Sequence, residues 1–153
     1  MRIRDGSADD DAILARHYRA LWESYGTPPD HIRADAEARA LAYIAEARAE
    51  RRLGVFIAEE GSEAIGSAAG QLFPSPYPDI VAPEHRLFGY IWSVYVDPRF
   101  RRRGIARALC ERAIAYLGTL GCTTVALHAS EAGEPLYEQL GFEIGREMRL
   151  KLR

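Results

Sequence analysis

Arg101, Arg102 and Arg103 stand in a row before Gly104-Ile105-Ala106, where the most apolar segment of the chain meets its most regular helical pattern. Guanidinium groups pair with phosphate and carboxylate oxygens through two parallel hydrogen bonds. The first turn of a helix carries unpaired backbone N–H groups and about half a positive charge, so acids belong there and cations do not. An anion seated against that turn removes the conflict, because it accepts hydrogen bonds from the N–H groups and the guanidiniums together. Gly104 lets a ligand approach the backbone, and Ala106 keeps the next turn low. The stretch therefore reads as a phosphate or pyrophosphate cradle made of Arg101, Arg102, Arg103, Gly104, Ile105, Ala106 and Arg107.

Three other readings compete. The chain has 19 arginines, a single lysine (Lys151) and no asparagine, the mark of a GC-rich coding sequence. In such a chain an arginine run is often just a solvated face. A nucleic-acid patch would need further basic residues interleaved with aromatics, and a formal charge of −2 supplies no such excess. A dinucleotide or P-loop cradle would need G-x-G-x-x-G or G-x-x-x-x-G-K, and neither is present.

The remaining reactive side chains are sparse. Cys110 and Cys122 form no CxxC and no secreted disulfide pattern. None of the four histidines stands at ligand spacing from another or from a cysteine, so no metal is expected. His17 lies among helical apolar residues and reads as packing, and so do both cysteines.

These groups must be held by a chain of 153 residues, 48% hydrophobic and 27% charged, which is enough for one domain over 1–153 with a buried core. The first residues lack the apolar stretch of a secretory signal. The uncharged run from Ala113 to Ser130 is broken by Gly118 and Gly121. A cytoplasmic protein with no membrane or nucleic-acid partner is the expectation.

Periodicity supplies the elements. Met1–Arg4 suits a short strand. Ser7 and Asp10 resemble a capping box ahead of a helix with Ile13, Leu14, Tyr18, Leu21 and Trp22 on one stripe. Asp30 can cap a second helix that lasts to about Arg51. Val55–Ala58 and Ala64–Phe73 read as a hairpin about Glu60–Glu63, and four prolines between Phe73 and Glu84 make a stiff loop. Leu87–Val96 is apolar on both alternating faces, so it belongs inside a sheet covered on both sides. A helix over Gly104–Leu117, a strand over Thr123–Ala129, a short helix over Glu134–Leu140 and one or two strands between Phe142 and Leu152 complete a mixed sheet with helices on both faces.

With those elements in order, the chain resembles the GNAT superfamily, the acyl-CoA-dependent N-acyltransferases. Arg101, Gly104 and Ala106 after the apolar strand are similar to the family's [R/Q]-x-x-G-x-[G/A]. Leu136-Tyr137 with Gly141-Phe142 is similar to its L-Y-x-x-x-G-F. The resemblance covers nearly the whole chain and implies an α+β fold. Its central mixed sheet has six to seven strands, splayed between the two central parallel ones. It also implies that acetyl-CoA enters the splay with its pyrophosphate on the helix starting near Gly104. The pantetheine arm then pairs with the backbone of Val94, Tyr95 and Val96.

The same resemblance implies direct acetyl transfer to a primary amine of a small molecule or peptide. A backbone N–H, here assigned to Val94, polarises the thioester carbonyl, and Tyr137 matches the phenol that protonates the departing sulfur. Many relatives have asparagine where Ser130 stands, so Ser130 offers a hydroxyl but no amide to the pantetheine arm. The acceptor would meet the first two helices and the proline-rich loop, which points to Trp22, Tyr25, His31, Phe73, Tyr77, Asp79 and Glu84. An aromatic wall with one or two carboxylates would suit a cationic amine. Glu84, His85, His128 and ordered water are the candidates for the base. A homodimer follows by analogy alone. The competing expectation is an acyl-CoA sensor of the same fold that keeps the cradle and transfers nothing.

Overall fold

The computed structural model describes residues Met1–Arg153. Its elements are β1 (Arg2–Gly6), α1 (Asp11–Ser24), α2 (Ala36–Glu50), β2 (Gly54–Glu60), β3 (Glu63–Leu72), β4 (Phe88–Val96), α3 (Ile105–Thr119), β5 (Thr124–Ala126) and α4 (Glu134–Gln139). The five strands form one sheet in the order β1-β2-β3-β4-β5, with β4 and β5 parallel and every other pair antiparallel. No helix is long and apolar enough to cross a membrane.

Both faces of the sheet are covered, as the doubly apolar strands require. On one face Ile105, Leu109, Ala113 and Leu117 of α3 pack against Phe56, Ile65, Ala68 and Ile91. On the other, Leu14 and Ala15 of α1 with Ala40, Ile44 and Ala47 of α2 cover Val55, Ile57 and Ala69. The capping box is present. Ser7 Oγ accepts from Asp9 N–H at 3.2 Å and the Asp10 carboxylate accepts from Ser7 N–H at 2.8 Å, leading into α1 through a 3₁₀ turn over Ala8–Asp10.

Two expectations are corrected. The second helix starts at Ala36. Asp30 lies in a 3₁₀ turn over Pro29–His31, and Ile32 that follows it is extended. The sheet has five strands rather than six or seven, because Phe142–Arg153 forms no strand. Met148, Leu150 and Leu152 do alternate with Arg149, Lys151 and Arg153, but all three apolar side chains remain at least 84% exposed. The reason lies in β5, which is three residues long and offers no extended neighbour for the tail to pair with.

β5 is short because β4 bends away from it. On β4, Ser93 and Val94 together face the single residue Ala68 of β3, since Trp92 pairs with Ala69 and Tyr95 with Ser67. Such a bulge kinks its strand and increases the local twist. Ser93 takes it up at φ 55°, a left-handed conformation uncommon outside glycine. Pairing with β5 ends at Tyr90 and Ala126, so Ile91–Val96 lie beyond the last parallel pair.

Candidate active site

The divergence of β4 and β5 opens a cleft of about 1710 Å³. It is walled by α1 and α2 on one side, β4 at its base, and the start of α3 with the β5–α4 segment on the other. Ser93 contributes a buried hydroxyl to its lining and has no hydrogen-bond partner within the chain.

At one end of the cleft the turn Asp97–Gly104 delivers the chain into α3. Asp97 accepts from Arg99 N–H at 2.9 Å, and Pro98–Phe100 forms a single 3₁₀ turn. Arg102 (φ 63°) and Gly104 (φ 76°) are both left-handed, which turns the backbone so that α3 begins without a side-chain cap. Its first turn contains no acid, so the N–H groups of Ile105, Ala106 and Arg107 keep no intrahelical partner. A Cβ at Gly104 would meet nothing within 4 Å, which leaves open space in front of those groups.

The arginines divide. Arg101 and Arg102 line the cleft, with Arg101 Nε donating to the Val96 carbonyl at 3.1 Å. Arg103 does not line it. Its guanidinium turns to β2 and holds Glu60 through two bonds of 2.6 and 3.1 Å. A carboxylate across the hairpin thus claims the third arginine of the expected cradle. Arg107 lines the cleft and also meets Glu111 at 2.9 Å, one turn along α3.

Tyr137, on the first turns of α4, lines the same cleft and packs edge-on against Phe142 at 5.9 Å. Burial, with Cys110 and Tyr25 nearby, holds its phenol well above the ordinary tyrosine range, so it carries its proton. Ser130 also lines the cleft, although its Oγ accepts from Gly133 N–H at 3.2 Å and so helps start α4. Val94, Tyr95 and Val96 lie along the floor. Cys110 is fully buried and burial pushes its thiol up to about 12, which makes it a packing residue.

The other end of the cleft is aromatic. Trp22 and Tyr25 meet edge-on at 5.9 Å, and Tyr18 and Tyr43 each stand edge-on to Trp92 at 5.4 Å. Of the residues expected to meet an acceptor, Trp22, Tyr25 and His31 line this region, whereas Phe73, Tyr77, Asp79 and Glu84 do not. Tyr77 is drawn aside by Arg86, which donates to its hydroxyl at 2.7 Å. His85, too, lies outside the lining, and His128 lies within it. Tyr18, Tyr43, Tyr90 and Trp92 were not singled out by the sequence, where they read as ordinary core aromatics. Arg149 enters the lining from the tail and had no motif to mark it. Glu131 is the one carboxylate of the lining, against several arginines.

Comparison with known proteins agrees with this architecture. The acetyltransferase (GNAT) family model matches residues 14–142. Glucosamine 6-phosphate N-acetyltransferase of Trypanosoma brucei brucei is 36% identical over 148 residues, spanning 94% of this chain and 92% of that protein. A GCN5-related N-acetyltransferase from Ralstonia eutropha JMP134 shares the fold with a TM-score of 0.83 at 28% identity, covering 99% of this chain and 97% of the other. An acetyltransferase from Clostridium acetobutylicum, solved with acetyl-CoA, gives 0.81 at 26% identity, with 99% and 95% covered. The split sheet, the uncapped helix behind it and the match across most of the sequence have one common explanation: this chain belongs to the GNAT family of N-acetyltransferases.

Proposed function

We propose that this enzyme transfers an acetyl group directly from acetyl-CoA to the primary amine of an amino-sugar phosphate such as glucosamine 6-phosphate. The observation that carries the reading is the presence, in one cleft, of an uncapped helix N-terminus, an open strand edge and a protonated phenol. Acetyl-CoA supplies an activated acetyl thioester. The residues present fit it. Arg101, Arg102 and the N–H groups of Ile105, Ala106 and Arg107 hold the diphosphate. The edge of β4 from Val94 to Val96 receives the pantetheine arm as an added strand, and the Ser130 hydroxyl borders it. Val94 N–H donates to the carbonyl on which negative charge develops. Tyr137 donates its proton to the sulfur.

The acceptor follows from the far end of the cleft. Aromatic faces suit the C–H faces of a sugar ring. Arg19, Arg33 and Arg39 line that end, each paired with a carboxylate (Glu23 and Glu37 for Arg19, Asp35 for the other two) that a sugar phosphate would replace, while Asp79 and Glu84, which would have served a cationic amine, lie outside it. The Trypanosoma relative, matched along nearly its whole length, is named for such a substrate.

Thiol release from acetyl-CoA, followed with glucosamine 6-phosphate and with a panel of uncharged and cationic amines, tests both parts. Turnover with the sugar phosphate is expected. Tyr137→Phe should lower kcat by roughly 10²-fold while the KM for acetyl-CoA stays near that of the unaltered chain. Saturable acetyl-CoA binding with no thiol release from any amine would replace the transferase by a sensor, and unchanged turnover in Tyr137→Phe would remove the acid from Tyr137.

A further inference from the structure

Where β4 and β5 part, three side chains from three segments meet. Tyr90 of β4 hydrogen-bonds His128 Nδ1, and His128 Nε2 lies 3.3 Å from Glu147 of the tail. Tyr90 is held from behind by Phe73, stacked on its ring at 5.0 Å. Glu147 in turn accepts from Arg149 Nε at 2.6 Å. Tyr90, His128 and Arg149 all line the cleft.

The protonation states follow from these contacts. Arg149 first, then His128, holds the Glu147 carboxyl below the usual range, so it is ionised at neutral pH and can only accept. Burial holds the Tyr90 phenol above its ordinary value, so it keeps its proton. His128 therefore carries its proton on Nε2, facing Glu147, and offers the lone pair of Nδ1 to the Tyr90 hydroxyl. The imidazole is oriented by a carboxylate on one side and addressed by a hydroxyl on the other, the arrangement of a hydroxyl–histidine–acid triad.

Its place relative to the cradle gives the array a task. The cradle follows Val96, so a carrier lying back along the β4 edge holds its acyl carbonyl at Val94, roughly 13 Å along the strand from Tyr90, with the open cleft between them. An amine reaching that acyl group must be neutral to attack. We infer that Tyr90, His128 and Glu147 form a proton relay that deprotonates the acceptor amine. This inference rests on the N-acetyltransferase reading. The ammonium N–H bond breaks and its proton passes along water in the cleft to the Tyr90 oxygen. The Tyr90 O–H proton moves to His128 Nδ1, which leaves the phenol neutral and the imidazole cationic beside Glu147. His128, with 55% of its side chain exposed, then releases that proton to solvent. Tyr90 and His128 are the catalytic residues of this step, and Glu147 is a positioning residue that acts through His128.

His128 meets Tyr90 on one side and Glu147 on the other, Arg149 faces Glu147, and Tyr18, Glu147 and Arg149 lie near Tyr90. Two measurements on the full chain test the relay. The first is nitrogen-15 NMR of the His128 ring without ligand. It should find Nε2 protonated and Nδ1 unprotonated, with Glu147→Gln weakening that tautomer preference and Glu147→Asp restoring it in part. The second is the pH profile of kcat/KM for thiol release with glucosamine 6-phosphate. His128→Gln should remove one limb of that profile and slow the reaction roughly 10²–10⁴-fold, with acetyl-CoA affinity unchanged. Glu147→Gln should slow it less, and Glu147→Asp should restore part of the loss. A ring protonated on Nδ1, or a limb that persists in His128→Gln and so belongs to the amine, overturns the relay and leaves the transferase standing. A chain that binds acetyl-CoA but releases no thiol with any amine fails as a transferase, and the relay falls with it.

Discussion

His17 packs between α1 and the sheet, its Nδ1 2.9 Å from Ser67 Oγ and its ring 4.7 Å from that of Tyr95. Burial, seconded by Arg16 and opposed by Asp97, brings its pKa down to about 4. An unfolded histidine binds its proton near pH ~6.5. Between those values the unfolded chain holds the extra proton, so folding stability is complete above about pH 6.5 and falls as the solution is acidified toward 4. The loss is on the order of 2 kcal/mol, and urea unfolding at pH 7, 5.5 and 4.5 should register it. His17→Gln should flatten the curve over that window, and an equally steep curve in the variant would assign the loss to other groups. Asp10, lowered by its hydrogen bond to Arg4, and Asp97, lowered by Arg99, contribute nearer their own low range. The packing role of His17 was legible from its place on the helical stripe. Tyr137 was legible too, because its surrounding residues carry a motif. Glu147 was not, since no local pattern says that a carboxylate 19 residues past His128 returns to it.

Elements defined by strong periodicity came out of the sequence nearly whole: β2, β3, β4, α3 and α4 lie within two or three residues of their expected limits. Boundaries set by loop chemistry did not. Asp30 has the residue type of a helix cap, but Pro29 draws it into a 3₁₀ turn and α2 waits until Ala36. α3 begins within a residue of its expected start, and the arginines ahead of it go separate ways. Four arginines in five positions look alike in sequence, and their fates are settled by which acids lie across the fold. Arg99 meets Asp97 and Glu63, Arg103 meets Glu60, and Arg101 and Arg102 are left facing the cleft. That division predicts unequal consequences. Arg102→Ala removes a charged donor from the proposed diphosphate site, and a hydrogen bond of that kind is worth about 1.5–3 kcal/mol. Calorimetry should therefore find acetyl-CoA bound roughly 10- to 100-fold more weakly. Arg103→Ala, which breaks an exposed ion pair outside the cleft, should change that affinity less than about threefold. Equal losses would mean that Arg103 leaves Glu60 when the ligand arrives.

At the scale of the molecule, the layered architecture could be read from order and hydrophobicity, whereas the split that makes it useful came only as what the family resemblance implies. The separation of β4 from β5 depends on one extra residue in a ladder, Ser93 with Val94 against Ala68, and sequence alone gives no register. The same event shortens β5 and leaves the amphipathic tail without a strand to join, so the missing final strands and the open cleft have one origin. A sheet divided in this way lacks cross-strand hydrogen bonds on the β5 side of Ile91–Val96, while the β3 side stays paired, and the first turn of α3 lacks its own. A ligand that supplies both should stabilise the fold beyond its local contacts. At ~100 times its dissociation constant acetyl-CoA should add about 2.7 kcal/mol, which for a chain of this size raises the melting temperature by about 5–10 °C. Amide exchange should slow most at Val94, Val96 and Ile105–Arg107, because in the proposed complex those N–H groups pair with the carrier, and little at β1 or β2, which are already paired. A melting shift with protection spread evenly over the sheet would mean that the carrier binds elsewhere. No shift at millimolar acetyl-CoA would mean that the split is not a coenzyme site at all.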